Sequence, residues 1–320
     1  MIIDNNPMRI ENLPDELFLY IFSFIEPKDL LEGWYNLNYH INMILRSVDI
    51  RISIKNNDKF NDSLPYFKHF CSQITHLKDE RFFPNTQIDL RSLINIRFLY
   101  LTHCSKEQYQ HINPDNQSYL THFFSSSLPW SFYQRILFEQ ARFPYLISVG
   151  CPRGASIYLL NATHSINRTI RHLHLHSASD EIIYKFVQYL PSIISLTIDY
   201  LYTNSSSSPL LSTHSRIRRL NIVNALLSQF HLEQLLLSVG FPDLTYLCIT
   251  FDTCDFQQLA YTLTIFSCLK HFNLTVNTYP SDFNLIVTRL MSPWFLSLNY
   301  EHIIDRYNQK QTVLINIIRT

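Results

Sequence analysis

Residues 170–198, IRHLHLHSASDEIIYKFVQYLPSIISLTI, decide the fold because one apolar pattern occurs in them twice. In IRHLHL (170–175) and IISLTI (193–198), apolar residues alternate with polar ones as in a half-buried β-strand. Between them, SDEIIYKFVQYL (179–190) spaces its apolar residues three and four apart, which is typical of a helix with one buried face. The stretch therefore predicts a strand, a helix and a second strand.

The same apolar pattern recurs through most of the chain after residue 66. The pattern is six residues long and has apolar residues at its first, fourth and sixth positions, as in IRHLHL. The fourth position is occupied by Leu77, Leu99, Leu173, Leu196, Leu220, Leu247, Phe272 and Leu298. Successive intervals are 22, 74, 23, 24, 27, 25 and 26 residues, and weak candidates near Phe123 and Leu146 divide the long interval into about three ordinary periods. One strand and one helix cannot bury both apolar faces alone, so the repetition predicts stacked units that share a core.

This spacing resembles that of degenerate leucine-rich repeats over most of residues 66–320. The resemblance implies an α/β fold, a solenoid with a curved parallel sheet and outer helices. Solenoids of this kind usually bind partners on the concave face of the sheet. We therefore expect a protein substrate to contact the strand residues that point away from the core, namely Phe98, Tyr100, His172, His174, His176, Thr197, Asp199, Arg219, Asn221, Tyr246, Thr250, His271 and Asn273. Any one of them could instead be an ordinary solvated strand residue.

Residues 9–50 contain three short helical patterns rich in apolar residues. Pro14, Asp15 and Glu16 suit the first turn of a helix, and Leu17, Ile21 and Phe24 follow at the spacing of one helix face. Pro27 ends this pattern and begins a second, and a third follows from Ile41. A block of about forty residues with this much apolar surface is too small to be comfortably stable alone, so we expect it to bind a partner.

The block resembles the F-box family in the order and spacing of its motif, which here reads Leu13-Pro14, Asp15-Glu16, Leu17, Ile21-Phe22-Ser23, Pro27 and Asp29-Leu30-Leu31. The resemblance implies that the block binds a Skp-family adaptor and, through it, a cullin. It also implies that the apolar face laid against the adaptor consists of Leu13, Pro14, Leu17, Ile21, Leu30, Leu31 and Leu37. Some of these side chains could instead fill the core of the block.

Together, the two resemblances divide the chain into an F-box domain (8–54), a linker (55–65) and the leucine-rich-repeat-like solenoid (66–320). They imply the substrate-recognition subunit of an SCF-type (Skp, cullin, F-box) E3 ubiquitin ligase, with no enzymatic activity of its own. The alternative is a non-catalytic solenoid scaffold that does not engage a cullin ligase. A thiol-dependent hydrolase is the third reading.

Composition narrows the class of partner. Lysine plus arginine and aspartate plus glutamate number 26 each, so the net charge favours neither nucleic acid nor an anionic membrane. The amino-terminal residues lack the pattern of a secretory signal, and no run reaches the roughly 18 to 20 apolar residues of a membrane helix. We therefore expect a soluble protein of the cytoplasm or nucleus.

Motifs for catalysis or for a cofactor are weak. The four glycines are scattered, which disfavours a phosphate-binding loop, and the six cysteines form no C-x-x-C pair. The histidines of HLHLH (172–176) could ligate zinc only if a carboxylate or cysteine converged on them, and the sequence identifies none. Cys104 follows His103, but consecutive strand residues point to opposite faces. The sequence thus predicts no catalytic residue, no metal and no cofactor.

Overall fold

The computed structural model describes residues 10, 13–56, 65–82, 88–138, 143–151, 165–202, 215–225, 229–251, 259, 262–263, 266–278, 299–305 and 310–318. The chain forms two compact units, Met1–Phe123 and Phe124–Thr320. Most of the predicted linker, from 57 to 64, lies outside the described residues. Among the helices of the described part, none combines the length and the apolar composition of a bilayer-spanning segment.

The first unit begins with three short helices, α1 (Asp15–Phe22), α2 (Pro27–Gly33) and α3 (Tyr39–Leu45). They lie where the three helical patterns of the sequence predicted them. Asp15 and Glu16 occupy the first turn of α1, and Pro27 is the first residue of α2, where its missing N–H costs nothing. The α3 helix begins after Asn38, whose side-chain oxygen accepts a hydrogen bond of 2.8 Å from the Ile41 N–H.

Aromatic side chains form the core of this helical block. Phe18 and Phe22 of α1 are almost completely buried, and the ring of Trp34 lies 5.0 Å from that of Phe22. Leu30 of α2 and Ile41 of α3 complete the interior. The side of α1 that faces inward is therefore the one with the two phenylalanines.

The remainder of the first unit alternates strands with helices. Its strands are β1 (Ile50–Ile54), β2 (Ile74–Asp79) and β3 (Phe98–Leu101), and β4 (His122–Ser125) lies where the two units divide. The α4 helix (Pro65–Phe70) precedes β2, and α5 (Lys106–Gln110) follows β3. Strands β1, β2 and β3 pair in parallel, with Ile52, Leu77 and Leu99 aligned and buried. The predicted F-box range 8–54 thus includes the first strand of the sheet.

The second unit continues the alternation with longer strands. Its elements in chain order are α6 (Trp130–Phe138), β5 (Ser148–Cys151), β6 (His172–Ser179), α7 (Asp180–Tyr189), β7 (Ser195–Tyr202), β8 (Arg219–Ala225), α8 (Gln229–Val239), β9 (Tyr246–Phe251), β10 (His271–Thr278), β11 (Asn299–Asp305) and β12 (Lys310–Ile318). Strands β5 to β10 pair in parallel in chain order. Both units therefore have the predicted α/β architecture of parallel strands and intervening helices.

The repeated leucine lies at one register position in the second unit. Leu173, Leu196, Leu220, Leu247 and Phe272 are direct partners across β6 to β10, and each is buried. This alignment confirms the repeat spacing read from the sequence. In β5 the partner of Leu173 is Val149, and the weak candidate Leu146 precedes the strand.

The predicted parallel repeat at 295–300 lies mostly outside the described residues, Leu298 included. The β11 strand pairs antiparallel with β12, which pairs antiparallel with β10. Only residues 306–309 separate β11 from β12. A parallel crossover needs about a dozen residues or more, so a connection this short enforces an antiparallel pair.

Candidate interaction surfaces

The α1 helix exposes an apolar stripe on the side that faces away from the core. Leu17, Tyr20, Ile21 and Phe24 follow one another at the spacing of one helix face, and Phe24 just after the helix is 73 % exposed. Phe18 and Phe22 already fill the inward side, so these four side chains have no place in the core. Exposed apolar groups arranged contiguously are typical of a protein–protein contact.

Further apolar side chains are exposed near α3, which packs against α1. Leu37, Tyr39 and Met43 are all exposed, and Tyr39 begins the helix. A contact of 3.2 Å between the Nε2 of His40 and a carboxylate oxygen of Asp15 joins the two helices. We call Leu17, Tyr20, Ile21, Phe24, Leu37, Tyr39 and Met43 the helical apolar patch.

The predicted adaptor residues divide between this patch and the interior. Leu17, Ile21 and Leu37 belong to the patch, Pro14 is exposed at the start of α1, and Leu13 and Leu31 are half-buried. Leu30 is 0 % exposed and fills the core, which corrects its assignment to the exposed face. The sequence reasoning missed Tyr20, Tyr39 and Met43. The three-residue step from Leu17 to Tyr20 was the available signal for Tyr20.

Polar side chains form two rows across the parallel strands of the second unit. One row pairs His172, Ser195, Arg219, Tyr246 and His271, and the next pairs His174, Thr197, Asn221, Cys248 and Asn273. Each member is exposed or half-buried, while the residues between the rows are buried. His176, Asp199 and Thr250 lie further along the same strands. Apart from Ser195 and Cys248, which were not predicted, these are eleven of the predicted substrate-binding residues, and they share one strand face. The other two, Phe98 and Tyr100, lie on β3 of the first unit.

Asp199 links two of the three histidines of HLHLH, His174 and His176. One oxygen of its carboxylate lies 2.8 Å from Nε2 of His174, and the other lies 3.2 Å from Nδ1 of His176. The ring of Tyr200 meets that of His176 edge-on, with 5.0 Å between the centroids. The carboxylate that the sequence did not identify is therefore Asp199. Within the described ranges, no group of three histidine, cysteine or acidic side chains is arranged to hold a metal ion.

Tyr246 joins the two polar rows. The guanidinium carbon of Arg219 lies 5.1 Å from its ring centroid, and Nδ2 of Asn273 donates a hydrogen bond of 3.2 Å to its hydroxyl. Burial, with a smaller effect of the neighbouring Cys248, raises the pKa of Tyr246. The phenol therefore stays neutral near pH 7 and gives a flat, half-buried surface beside an exposed guanidinium.

The strand face of the first unit carries clustered aromatic rings and a lysine instead of rows of polar side chains. The ring of Phe98 stacks on that of His76 at 5.9 Å and lies 6.0 Å from that of His122. Lys78 contacts both Glu80, at 2.5 Å, and the ring of Tyr100. An open polar cavity of about 470 Å³ lies at the amino ends of these strands, lined by Arg46, Ser47, Val48, Asp49, Ser72, Gln73, Thr75, Asn95, Arg97 and Tyr119. Phe98 and Tyr100 thus stand among aromatic and basic neighbours.

Three thiols have environments that oppose nucleophilic chemistry. Burial raises the pKa of Cys104 to about 12, and it raises the pKa of Cys151 well above the ordinary value. Burial also raises the pKa of Cys248. His103 is exposed while Cys104 is buried. Because the thiolate is the nucleophilic form, these positions disfavour a cysteine hydrolase.

Comparison with known proteins gives no family for this chain. No protein-family model matches the sequence, and no curated protein is significantly similar to it.

Proposed function

We propose that this chain is the substrate-recognition subunit of an SCF-type E3 ubiquitin ligase. In this proposal the helical apolar patch binds a Skp-family adaptor, and through it a cullin, while the polar strand face binds a protein substrate. The observation that carries the proposal is the exposed stripe of Leu17, Tyr20, Ile21 and Phe24 along α1 and just after it. The helix begins within the F-box-like segment Leu13-Pro14-Asp15-Glu16.

Energetics support a macromolecular partner for this stripe. Full burial of a side chain such as leucine, isoleucine or phenylalanine contributes about 1.5–3 kcal/mol. Several such side chains on one helix face can therefore offset much of the cost of association, which is roughly 4–15 kcal/mol. A partner that lays apolar helices against α1 and α3 fits this surface, because the exposed residues follow helical spacing.

The mechanism needs no catalytic side chain in this chain. A receptor holds its substrate near the charged ubiquitin carrier, which raises the effective concentration of the substrate lysines at the reacting thioester. Its contribution is positional. The raised thiol pKa values of Cys104, Cys151 and Cys248 agree with a non-catalytic role.

The first prediction concerns the adaptor. Leu17→Asp with Ile21→Asp should abolish co-purification of a Skp-family adaptor and cullin, because each change places a charge on an exposed apolar contact without removing a core residue. Ile94→Asp with Leu237→Asp is the matched control, since it also adds two charges at exposed apolar positions, which are 50 % and 49 % exposed and lie outside the patch. The measurement is affinity purification followed by immunoblotting for both partners.

Two results would count against this prediction. If the unsubstituted chain recovers neither adaptor nor cullin when both are supplied in purified form, the receptor function fails. If the chain recovers the adaptor but no cullin, the non-catalytic scaffold replaces the ligase subunit.

A further inference from the structure

Basic residues occur at the amino ends of alternate strands in the second unit. Arg171 and His172 lie at the start of β6, Arg218 and Arg219 at the start of β8, and Lys270 and His271 at the start of β10. The intervening strands begin instead with Ile194-Ser195 and Thr245-Tyr246. Because the strands are parallel, all these pairs lie along one edge of the sheet. We call Arg171, His172, Arg218, Arg219, Lys270 and His271 the basic strip.

The backbone holds the strip firmly. The carbonyl of Arg171 accepts hydrogen bonds from the N–H groups of Ile194 and Ser195, and the carbonyl of Arg218 does the same for Thr245 and Tyr246. Lys270 N–H donates to the Thr245 carbonyl at 2.9 Å. The positions of these residues are therefore set by the sheet, while their side chains are exposed.

No acidic side chain in the part of the chain that the structure describes compensates the charge of the strip by an ion pair. Within the described residues, none of Arg171, Arg218, Arg219 and Lys270 forms an ion pair with a carboxylate. The described segments leading into β6 to β10 contain one acidic residue, Asp243, and two further cations, Arg168 and Arg216. Burial and the positive charges of Arg171 and Arg219 lower the pKa of His172, so the positive charge of the first pair comes from Arg171.

The spacing of the basic pairs is regular. Neighbouring strands lie about 4.8 Å apart, so pairs on alternate strands are separated by about 10 Å. A polyproline II segment has about three residues per turn and rises about 3.1 Å per residue, so every third side chain returns to one side about 9 Å further along. Anionic side chains at every third position would therefore meet successive pairs.

We propose that the basic strip binds an extended anionic segment of a partner protein, with a negative side chain at every third position. This inference names the substrate class for the strand face and in that respect rests on the proposed function. The negative charge comes either from Asp and Glu or from phosphorylated Ser and Thr, because both present oxygen acceptors to the guanidinium fork. Tyr246, between the second and third pairs, offers a ring for a proline or aliphatic side chain.

A protein ligand fits better than a nucleic acid or a membrane. The chain has no net charge, so it lacks the broad positive field that would attract a nucleic acid or an anionic bilayer. The strip instead concentrates charge at three points, separated by strands that begin with the uncharged residues Ile194-Ser195 and Thr245-Tyr246. Localised charge of this kind favours a ligand whose own charges are spaced along a defined backbone.

Direct binding of labelled peptides to the purified full-length chain tests the inference without any adaptor. The probes are a peptide of repeated Glu-Pro-Ser triplets, its counterpart with Gln at every Glu position, its counterpart with phosphoserine at those positions, and a peptide of the same composition with the glutamates clustered. A single-stranded DNA and a phosphatidylserine vesicle represent the other anionic partners. Fluorescence anisotropy at low and moderate salt gives the dissociation constants, and vesicle binding is measured by sedimentation.

We expect the spaced Glu or phosphoserine peptide to bind at least about tenfold more tightly than the Gln peptide, with binding weakened by salt. The tighter of the two anionic peptides identifies the source of the charge. Arg218→Glu with Lys270→Glu should remove this advantage. Lys68→Glu with Lys106→Glu, which makes the same net charge change at exposed helical positions of the first unit, should retain it. Circular dichroism confirms that both variants are folded.

Equal binding of the Gln peptide or of the clustered peptide would overturn the inference. Preferential binding of the DNA or the vesicle would overturn it as well, as would an equal loss in the two charge-reversed variants. Because no adaptor is present, this experiment fails or succeeds independently of the co-purification test on the helical patch.

Discussion

Gly150 has a steric role in β5. A Cβ atom at this position would overlap the ring of Phe124, whose side chain passes close to the glycine Cα. The surroundings are tightly packed, since Tyr133 is fully buried and its hydroxyl donates to the carbonyl of Ser125. The sequence offered no signal for this contact, because residue type alone does not show which backbone atoms a ring approaches.

We therefore predict that Gly150→Ala lowers the free energy of unfolding by about 1–3 kcal/mol, because Phe124 must leave its position. Chemical denaturation followed by circular dichroism measures the change. Gly33→Ala is the control: no atom lies within 4 Å of a Cβ there, and alanine favours the helix. Its stability should be unchanged or slightly raised. Equal stability of Gly150→Ala and the unsubstituted chain would show that Phe124 can move freely.

Leu30 and Leu17 show how far residue patterns determine burial. Both belong to apolar helical patterns, yet Leu30 is fully buried and Leu17 is exposed. Helical spacing defines the faces of α1 but does not say which face turns inward. The larger Phe18 and Phe22 occupy the interior, and this choice depends on packing with Trp34 that the sequence does not specify.

The α3 helix depends on the loop that precedes it. Asn38 caps the helix through Ile41, while the side chain of Asn42 accepts a hydrogen bond of 2.9 Å from the Asn36 N–H. Asn36 has a positive φ of 65°, a conformation that asparagine tolerates better than most residues. Two asparagines on the loop and one on the helix therefore fix the start of α3, which exposes Tyr39 and Met43.

Loss of the cap should destabilise this element. We predict that Asn38→Ala lowers the free energy of unfolding by about 1 kcal/mol, because the Ile41 N–H loses its acceptor, while Asn38→Ser retains most of the stability. Thermal and urea denaturation of the three proteins provide the measurement. If the alanine and serine variants are equally stable, the cap does not contribute to the fold.

The strands show which elements a sequence pattern can specify. Alternation and a regular interval predicted β6 to β10 and their aligned leucines, since each repeat must bury the same position against its neighbours. The same alternation suggested a parallel repeat at the carboxyl end, where β11 and β12 are antiparallel. Parallel and antiparallel strands show the same alternation of apolar and polar residues. The length of the connection between two strands therefore decides whether they pair in parallel or antiparallel.

At the scale of the whole molecule, the strand face could be predicted and its internal contacts could not. Period-two alternation identified His174 and Asp199 as outward residues, but their pairing depends on the register between β6 and β7. The sequence pattern did not indicate the basic strip, because its successive pairs are about 50 residues apart in sequence, which is two repeats. Only the stacking of repeats brings them to one edge.

Acid should weaken the fold as a whole through two histidines. Burial, aided by neighbouring arginines, lowers the pKa of His76 and of His172 below 6.5. The unfolded chain then binds more protons than the folded chain once the pH falls below about 6.5, so the free energy of unfolding decreases as the solution is acidified. Urea denaturation between about pH 7.5 and 5.5 measures this slope.

His76→Gln with His172→Gln should make that slope shallower, because neither position can then take up a proton. NMR titration of the two imidazoles gives the folded pKa values directly. An unchanged slope in the double variant would assign the acid sensitivity to other groups.

On each strand, buried residues that stabilise the interior alternate with outward residues that can contact a ligand. At the aligned leucines any change in size disturbs both adjoining strands, whereas Thr197, Asn221 and Asn273 can be exchanged with little effect on the interior. Selection can therefore alter ligand preference in small steps, without first rebuilding the scaffold that displays it. An engineer could diversify the same alternate positions as a library and keep the leucine positions constant.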